Sequence, residues 1–197
     1  MGKYVAAVAG IAACLLALAP GRAGAQGEVT SPPDPWVHAA TGTRFPAKLG
    51  ASQRGRVFEY TEDGRDASVG YSIDKDGYRA TVTLYVYPTI AGYTCQEVFT
   101  DSRSHIEAYK GAQVVSEGTT RAPSGRGSPA AFYARYYVPA GAMREDIPAV
   151  RSDVYLYCPP GDAWLVKYRA TWSAEADFAS EVEALFHAVD WPANLGG

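Results

Sequence analysis

The sequence predicts a single α+β domain, an antiparallel sheet with two amphipathic helices packed on its apolar face. Three observations predict it. Tyr78 to Tyr87 alternates strictly, with Ala80, Val82, Leu84 and Val86 on one side and Arg79, Thr81, Thr83, Tyr85 and Tyr87 on the other, as a half-buried antiparallel strand requires. Thr94 with Glu97 forms a capping box ahead of an apolar stripe made by Cys95, Val98, Phe99, Ser102, Ile106 and Tyr109. Phe178, Val182, Leu185, Phe186 and Val189 recur at helical spacing before Pro192 stops the pattern.

The N-terminus reads as an address. Lys3 precedes an apolar run from Tyr4 to Ala19, broken by Pro20-Gly21, and Ala23-Gly24-Ala25 places small residues ahead of a cleavable bond before Gln26. This is the layout of a secretory signal peptide over residues 1–25, and the run is too short for a spanning helix. An alternative is a lipoprotein box at Ile11-Ala12-Ala13-Cys14 that anchors the chain through Cys14; against it, Leu15 to Leu18 continues the apolar run where a polar tether belongs. Removing residues 1–25 takes away Lys3 and Arg22 and no acid, so 16 basic residues face 21 acidic ones in a mature chain of 172 residues. That balance points away from nucleic acid as a partner, and no later apolar stretch has membrane-spanning length.

Residues 26–42, with Ser31-Pro32-Pro33-Asp34-Pro35, read as an extended or flexible lead-in whose end Trp36 pins. The domain follows over 43–192, and 193–197 is a tail. Strands are expected at Phe45 to Leu49, Arg56 to Tyr60 and Ala67 to Ile73, joined by turns that carry Asp63-Gly64 and Asp76-Gly77, so that with the Tyr78 strand they form a meander. The capped helix ends at Lys110-Gly111. Gln113 to Glu117 adds a strand, Gly118 to Pro129 is a small-residue loop, and Ala130 to Val138, Val150 to Cys158 and Ala163 to Trp172 form a second block before the closing helix, Ala174 to Asp190.

This order of elements resembles the PsbP-like α/β sandwich of several bacterial periplasmic proteins. The residues that carry the resemblance are Phe45-Pro46-Ala47-Lys48-Leu49-Gly50 at the start and Phe178 to Trp191 at the end. It covers about residues 43 to 192 in element order, and it implies no catalytic residues.

Catalytic and cofactor motifs do not emerge. Ser124-Gly125-Arg126-Gly127-Ser128 lacks the Gly-x-Ser-x-Gly spacing of a nucleophile elbow and the Gly-Lys-Ser/Thr end of a phosphate loop, so it reads as a surface loop. His38, His105 and His187 have no paired metal spacing. Asp74-Lys75-Asp76-Gly77 opens like a calcium loop, but Tyr78 and Tyr85 stand where oxygen ligands are needed, so a hairpin turn is expected. Glu59, Glu62, Asp63 and Asp66 read as a solvated turn. No metal and no cofactor is indicated.

What stands out is a tyrosine and arginine face. If the Tyr78, Ala130, Val150 and Ala163 strands share a sheet, one face gathers Val82, Leu84, Phe132, Val154, Leu156, Trp164 and Val166. The other gathers Arg79, Tyr85, Tyr87, Tyr133, Arg135, Tyr137, Arg151, Asp153, Tyr155, Tyr157, Lys167 and Arg169. Tyrosine with arginine suits planar, sugar-like or anionic ligands, by stacking and charged hydrogen bonds. Strand propensity alone also places these residues on a wet sheet face. The candidate ligand-binding set is Arg79, Tyr85, Tyr87, Tyr133, Arg135, Tyr155 and Arg169.

The functional expectation is a secreted or periplasmic, non-enzymatic binding or envelope-associated protein, whose partner is an anionic or sugar-like ligand or an envelope protein. The alternative is a hydrolase acting on envelope material. With Cys14 removed, Cys95 and Cys158 are the remaining cysteines, and in an oxidising compartment they are expected to pair, since both face the layer of the first helix.

Overall fold

A computed structural model describes residues 27–122, 131–159 and 163–195. The signal-peptide reading with Cys14, and the glycine-rich loop Ser124 to Ser128, lie outside these residues.

The described elements are β1 (Gly27–Glu28), β2 (Trp36–Val37), β3 (Arg44–Phe45), β4 (Lys48–Leu49), β5 (Ser52–Glu59), β6 (Ala67–Lys75), β7 (Tyr78–Pro88), α1 (Cys95–Glu107), β8 (Gln113–Thr120), β9 (Ala131–Val138), β10 (Val150–Tyr157), β11 (Trp164–Ser173) and α2 (Ala179–Ala188), followed by a 3-10 turn at Ala193–Leu195. The main sheet runs β1-β5-β6-β7-β11-β10-β9-β8, with β4 also on β5, while β2 and β3 make a separate ribbon. Its pairings are antiparallel.

Local chemistry explains the path. Asp76 and Gly77, at φ 52° and 81°, turn β6 into β7 while Lys75 stays opposite Tyr78. Positive φ at both central residues is the tight hairpin geometry that Asp-Gly favours. The meander β5-β6-β7 leads into α1, whose Thr94 side chain accepts from the Glu97 backbone while Glu97 accepts from the Thr94 backbone, the capping box in full. Helix α1 carries the chain to the far edge at β8. From there β8-β9-β10-β11 returns as a second meander, and β11 closes the sheet against β7, with Lys167 opposite Tyr85.

The register corrects the expected faces. Take as front the face that carries Val82 and Leu84. Val82 lies opposite Ala170, Ala170 opposite Asp153 and Asp153 opposite Arg135, so the front turns from apolar to charged halfway across the sheet. On the back, Thr83 and Tyr85 lie opposite Arg169 and Lys167, while the neighbouring strands present Leu156, Val154, Phe132 and Ala134.

The helices follow this switch and lie against opposite faces, not on one apolar face. On the front, Phe178, Val182, Leu185 and Phe186 of the α2 region join a core with Val69, Tyr71, Leu84, Val166 and Tyr168. On the back, Val98, Phe99 and Ile106 of α1 pack with Ala134, Tyr136, Val154, Leu156 and Leu165. Tyr136 fixes α1 further, its hydroxyl donating to Glu107 at 2.9 Å and accepting from Arg103 Nε at 2.9 Å.

Cys95 and Cys158 are joined in a disulfide, with Cα atoms 6.2 Å apart and a separation of 63 in sequence. It ties the first residue of α1 to the end of β10. On the chain-entropy account, closing a loop of that length stabilises the fold by about 4 kcal/mol.

Two boundaries also move. The lead-in, expected to be extended or flexible, is tied down by β1 pairing with β5 and by Trp36, buried in the front core. His38 is fully buried, bonded through Nδ1 to the Thr41 hydroxyl at 2.7 Å and through Nε2 to the Arg65 carbonyl at 3.1 Å. Leu195, placed in the tail by the sequence, is fully buried in that same core.

Candidate functional site

The switch of faces leaves one charged group half-covered on the front. Strand β9 supplies Tyr133 and Arg135, and β10 supplies Asp153 and Tyr155 directly opposite them. Arg135 Nε lies 3.3 Å from Asp153 Oδ2, and its Nη2 donates to the Tyr155 hydroxyl at 3.0 Å. Tyr155 in turn donates to Asp153 Oδ2 at 3.5 Å. The guanidinium stands 5.3 Å from the Tyr133 ring centroid, and Tyr133 stacks on Tyr155 at 5.9 Å.

The electrostatics follow from depth. The Asp153 side chain is 5% exposed and the Arg135 side chain 46%. Burial penalises the carboxylate and pushes the Asp153 pKa up to about 6, against the opposing pull of Arg135 and the Tyr155 hydrogen bond. Burial, with Asp153 adding to it, also pushes the Tyr155 phenol up to about 12. The pair is therefore a cation held at the surface by an anion beneath it.

Arg135 stands between two clefts. One, of about 480 Å³, is bordered by Arg121, Arg135, Tyr155, Tyr168, Glu183 and His187. The other, of about 460 Å³, is bordered by Arg135, Arg151, Asp153, Trp172 and Glu175. Helix α2 places Phe186 in the first, stacked on Tyr168 at 3.9 Å. Tyr168 is fully buried, and its hydroxyl has no hydrogen-bond partner among the described residues. A buried phenol without a partner costs desolvation energy.

The seven predicted ligand residues do not share one face. Tyr133, Arg135 and Tyr155 come together on the front. Arg79, Tyr85, Tyr87 and Arg169 lie on the back. Arg79 is occupied by Asp74, with bonds of 2.7 and 3.0 Å across the β6-β7 hairpin. That pairing also answers the calcium-loop comparison, since Asp74 faces a guanidinium and Asp76 makes the turn. Among the described residues no group of three His, Cys, Asp or Glu side chains is placed to hold a metal.

Sequence reasoning missed the contributions of Tyr168, Glu183 and His187. Asp153 had a readable signal: a carboxylate in the middle of a predicted strand, directly before Val154-Tyr155-Leu156, is a residue type that seldom enters strand interiors or full burial. Comparison with protein families, with curated proteins and with solved structures finds no match for this chain.

Proposed function

We propose that this is a secreted or periplasmic binding protein that takes an anionic, sugar-like ligand in the cleft between β9, β10 and α2, without catalysing a reaction on it. The observation that carries the reading is Arg135, half exposed on the ridge between two clefts and held from below by Asp153 and Tyr155. A guanidinium oriented in this way loses little freedom when it pairs with an incoming anion. Tyr155 adds a partly exposed ring face, which suits a sugar ring that carries acid substituents. The disulfide supports an oxidising compartment, and the PsbP-like order of elements stays part of the same reading.

The test is calorimetric titration of the mature protein with a heparin-derived tetrasaccharide as the anionic probe and maltotetraose as the neutral one. Wild-type protein is expected to bind the first and not the second, and more weakly as salt is added. Arg135→Glu is expected to lower affinity at least tenfold. A folded Arg135→Glu variant that binds as wild type does would sink the reading. Hydrolysis of the tetrasaccharide that disappears in Asp153→Asn would replace it with the hydrolase alternative.

A further inference from the structure

The open half of the back face has a different character. It spans β5, β6 and β7 and forms a groove of about 350 Å³ bordered by Gly55, Phe58, Tyr60, Gly70, Thr83 and Tyr85. Two causes make it concave. The register between β5 and β6 shifts between Arg54 and Val57, so Gly55 and Arg56 bulge opposite Gly70 and bend the strand. Gly55 and Gly70 then leave the floor without side chains, while Phe58 and Tyr60, stacked at 6.3 Å, stand as a wall.

Arg56 borders the groove, and strand β11 places two further cations beside it on the same face. Lys167 lies opposite Tyr85, and Arg169 lies opposite Thr83, both of which border the groove. The Lys167 ammonium sits 4.4 Å from the Tyr85 ring centroid and 5.6 Å from that of Tyr87. Among the described residues, neither Lys167 nor Arg169 makes an ion pair within 4 Å, in contrast to Arg79 and Arg135. Asp66 and Asp101 act on Lys167 from a longer range. Burial draws the Lys167 pKa down, Asp101 and Asp66 oppose that, and Arg169 adds to it. Two like charges on alternate residues of one strand, half-buried and with no carboxylate within ion-pair distance, repel each other, and Asp66 and Asp101 offset this for Lys167 only from longer range. An anion between the two cations would relieve the repulsion.

We infer that this groove is a second binding site, for the carboxylate of a long-chain fatty acid, with the chain on the Gly55-Gly70 floor and the head between Lys167 and Arg169. Charge complementarity selects this occupant. A neutral apolar guest would leave both cations without an anion in contact, and a small inorganic anion would leave the aromatic wall in water. The exposed lining is mostly apolar although Arg56, Ser72, Thr81 and Thr83 border it, and Ser68 is already bonded to the Tyr60 hydroxyl at 2.9 Å, so the groove suits an alkyl chain better than a sugar ring.

Calorimetric titration of the mature protein with dodecanoate, below its aggregation concentration and beside neutral decyl maltoside, tests the inference. Saturable binding of dodecanoate is expected, at least tenfold tighter than decyl maltoside. The double variant Lys167→Glu/Arg169→Glu should lose tenfold or more. Gly70→Ala should also weaken binding, because its Cβ would meet the Arg56 carbonyl at an ordinary 3.6 Å and would occupy the floor of the groove. Arg135→Glu should leave dodecanoate binding unchanged, which separates this site from the front cleft. Absence of saturable binding to wild type overturns the inference. So does a double variant with native near-ultraviolet circular dichroism and undiminished affinity, or equal affinity for decyl maltoside.

Discussion

The sheet has two open halves, one on each face, and they treat charge in opposite ways. On the front, beside α2, the cation Arg135 is bound to a nearly buried carboxylate and lies against aromatic rings. On the back, beyond α1, Lys167 and Arg169 flank a glycine floor and have no carboxylate within ion-pair distance among the described residues. The first arrangement is internally compensated, so its response to conditions runs through the protonation of Asp153. The second has no carboxylate in contact, so its response runs through counterions and salt. Both exist because the helices cover staggered halves of the sheet, and each helix leaves open the part of its own face that the other helix backs.

The largest effect that separates the halves should come from the disulfide. Cys95→Ser/Cys158→Ser is expected to lose about 4 kcal/mol of stability. The loss should fall unevenly. Hydrogen exchange should accelerate most in α1, β9 and β10, which share the back core, and less in β6 and β7, which belong to the front core. Uniform acceleration across the sheet would show that the two cores open as one unit and that the division by helix is only geometric.

A smaller effect belongs to Asp153. Its folded-state pKa, about 6, lies above the ordinary carboxylate value of 3.8, so the native protein holds this proton more tightly than the unfolded chain does. The stability that this group contributes is therefore fully present below about pH 4 and is lost as pH rises through about 6. Asp153→Asn removes that dependence. Relative to the variant, wild-type protein should lose roughly 3 kcal/mol between pH 4 and pH 8, read from paired denaturant titrations. A constant difference across that range would mean that Arg135 keeps the carboxylate ionised throughout. The same titrations on Lys167→Met should show no comparable step between pH 4 and pH 8, which keeps the two halves distinct.

Much of this architecture is written in local sequence. The Asp76-Gly77 turn, the Thr94 and Glu97 cap and the alternation from Tyr78 to Tyr87 each depend on a few neighbouring residues, and each appears where its residues place it. The pairing of Cys95 with Cys158 was legible for a related reason, because both belong to the layer beneath α1. The common tyrosine and arginine face was not legible. Alternation fixes which residues of one strand share a side, but the relation between strands depends on register, and register is set by partners far away in sequence. Arg135 and Arg169 each alternate correctly within β9 and β11, and still point to opposite faces. Strand β10 obscured this further, since it carries buried residues on each face and so alternates weakly. The anchoring of the lead-in was legible only at Trp36, because its other buried residues, His38 and Thr41, are single positions with no period to read.

The smallest effect lies at the start of α1. The Thr94 hydroxyl accepts from the Glu97 backbone at 3.3 Å, and the Glu97 carboxylate accepts from the Thr94 backbone at 2.8 Å. Replacing an N-cap threonine with alanine costs about 1 kcal/mol. In a domain of this size that lowers the melting temperature by about 2 to 4 °C. Thr94→Ser keeps an accepting oxygen in place and should restore most of the loss. Because Cys95 is the first residue of the same helix and is bonded to Cys158, the end that the cap stabilises is already held to β10. Thr94→Ala should therefore cost less with the disulfide intact than in the Cys95→Ser/Cys158→Ser background, where the first turn is free to fray. Equal losses in the two backgrounds would show that cap and disulfide act independently, and that α1 is fixed over the back core by Val98, Phe99 and Ile106 rather than by its first turn.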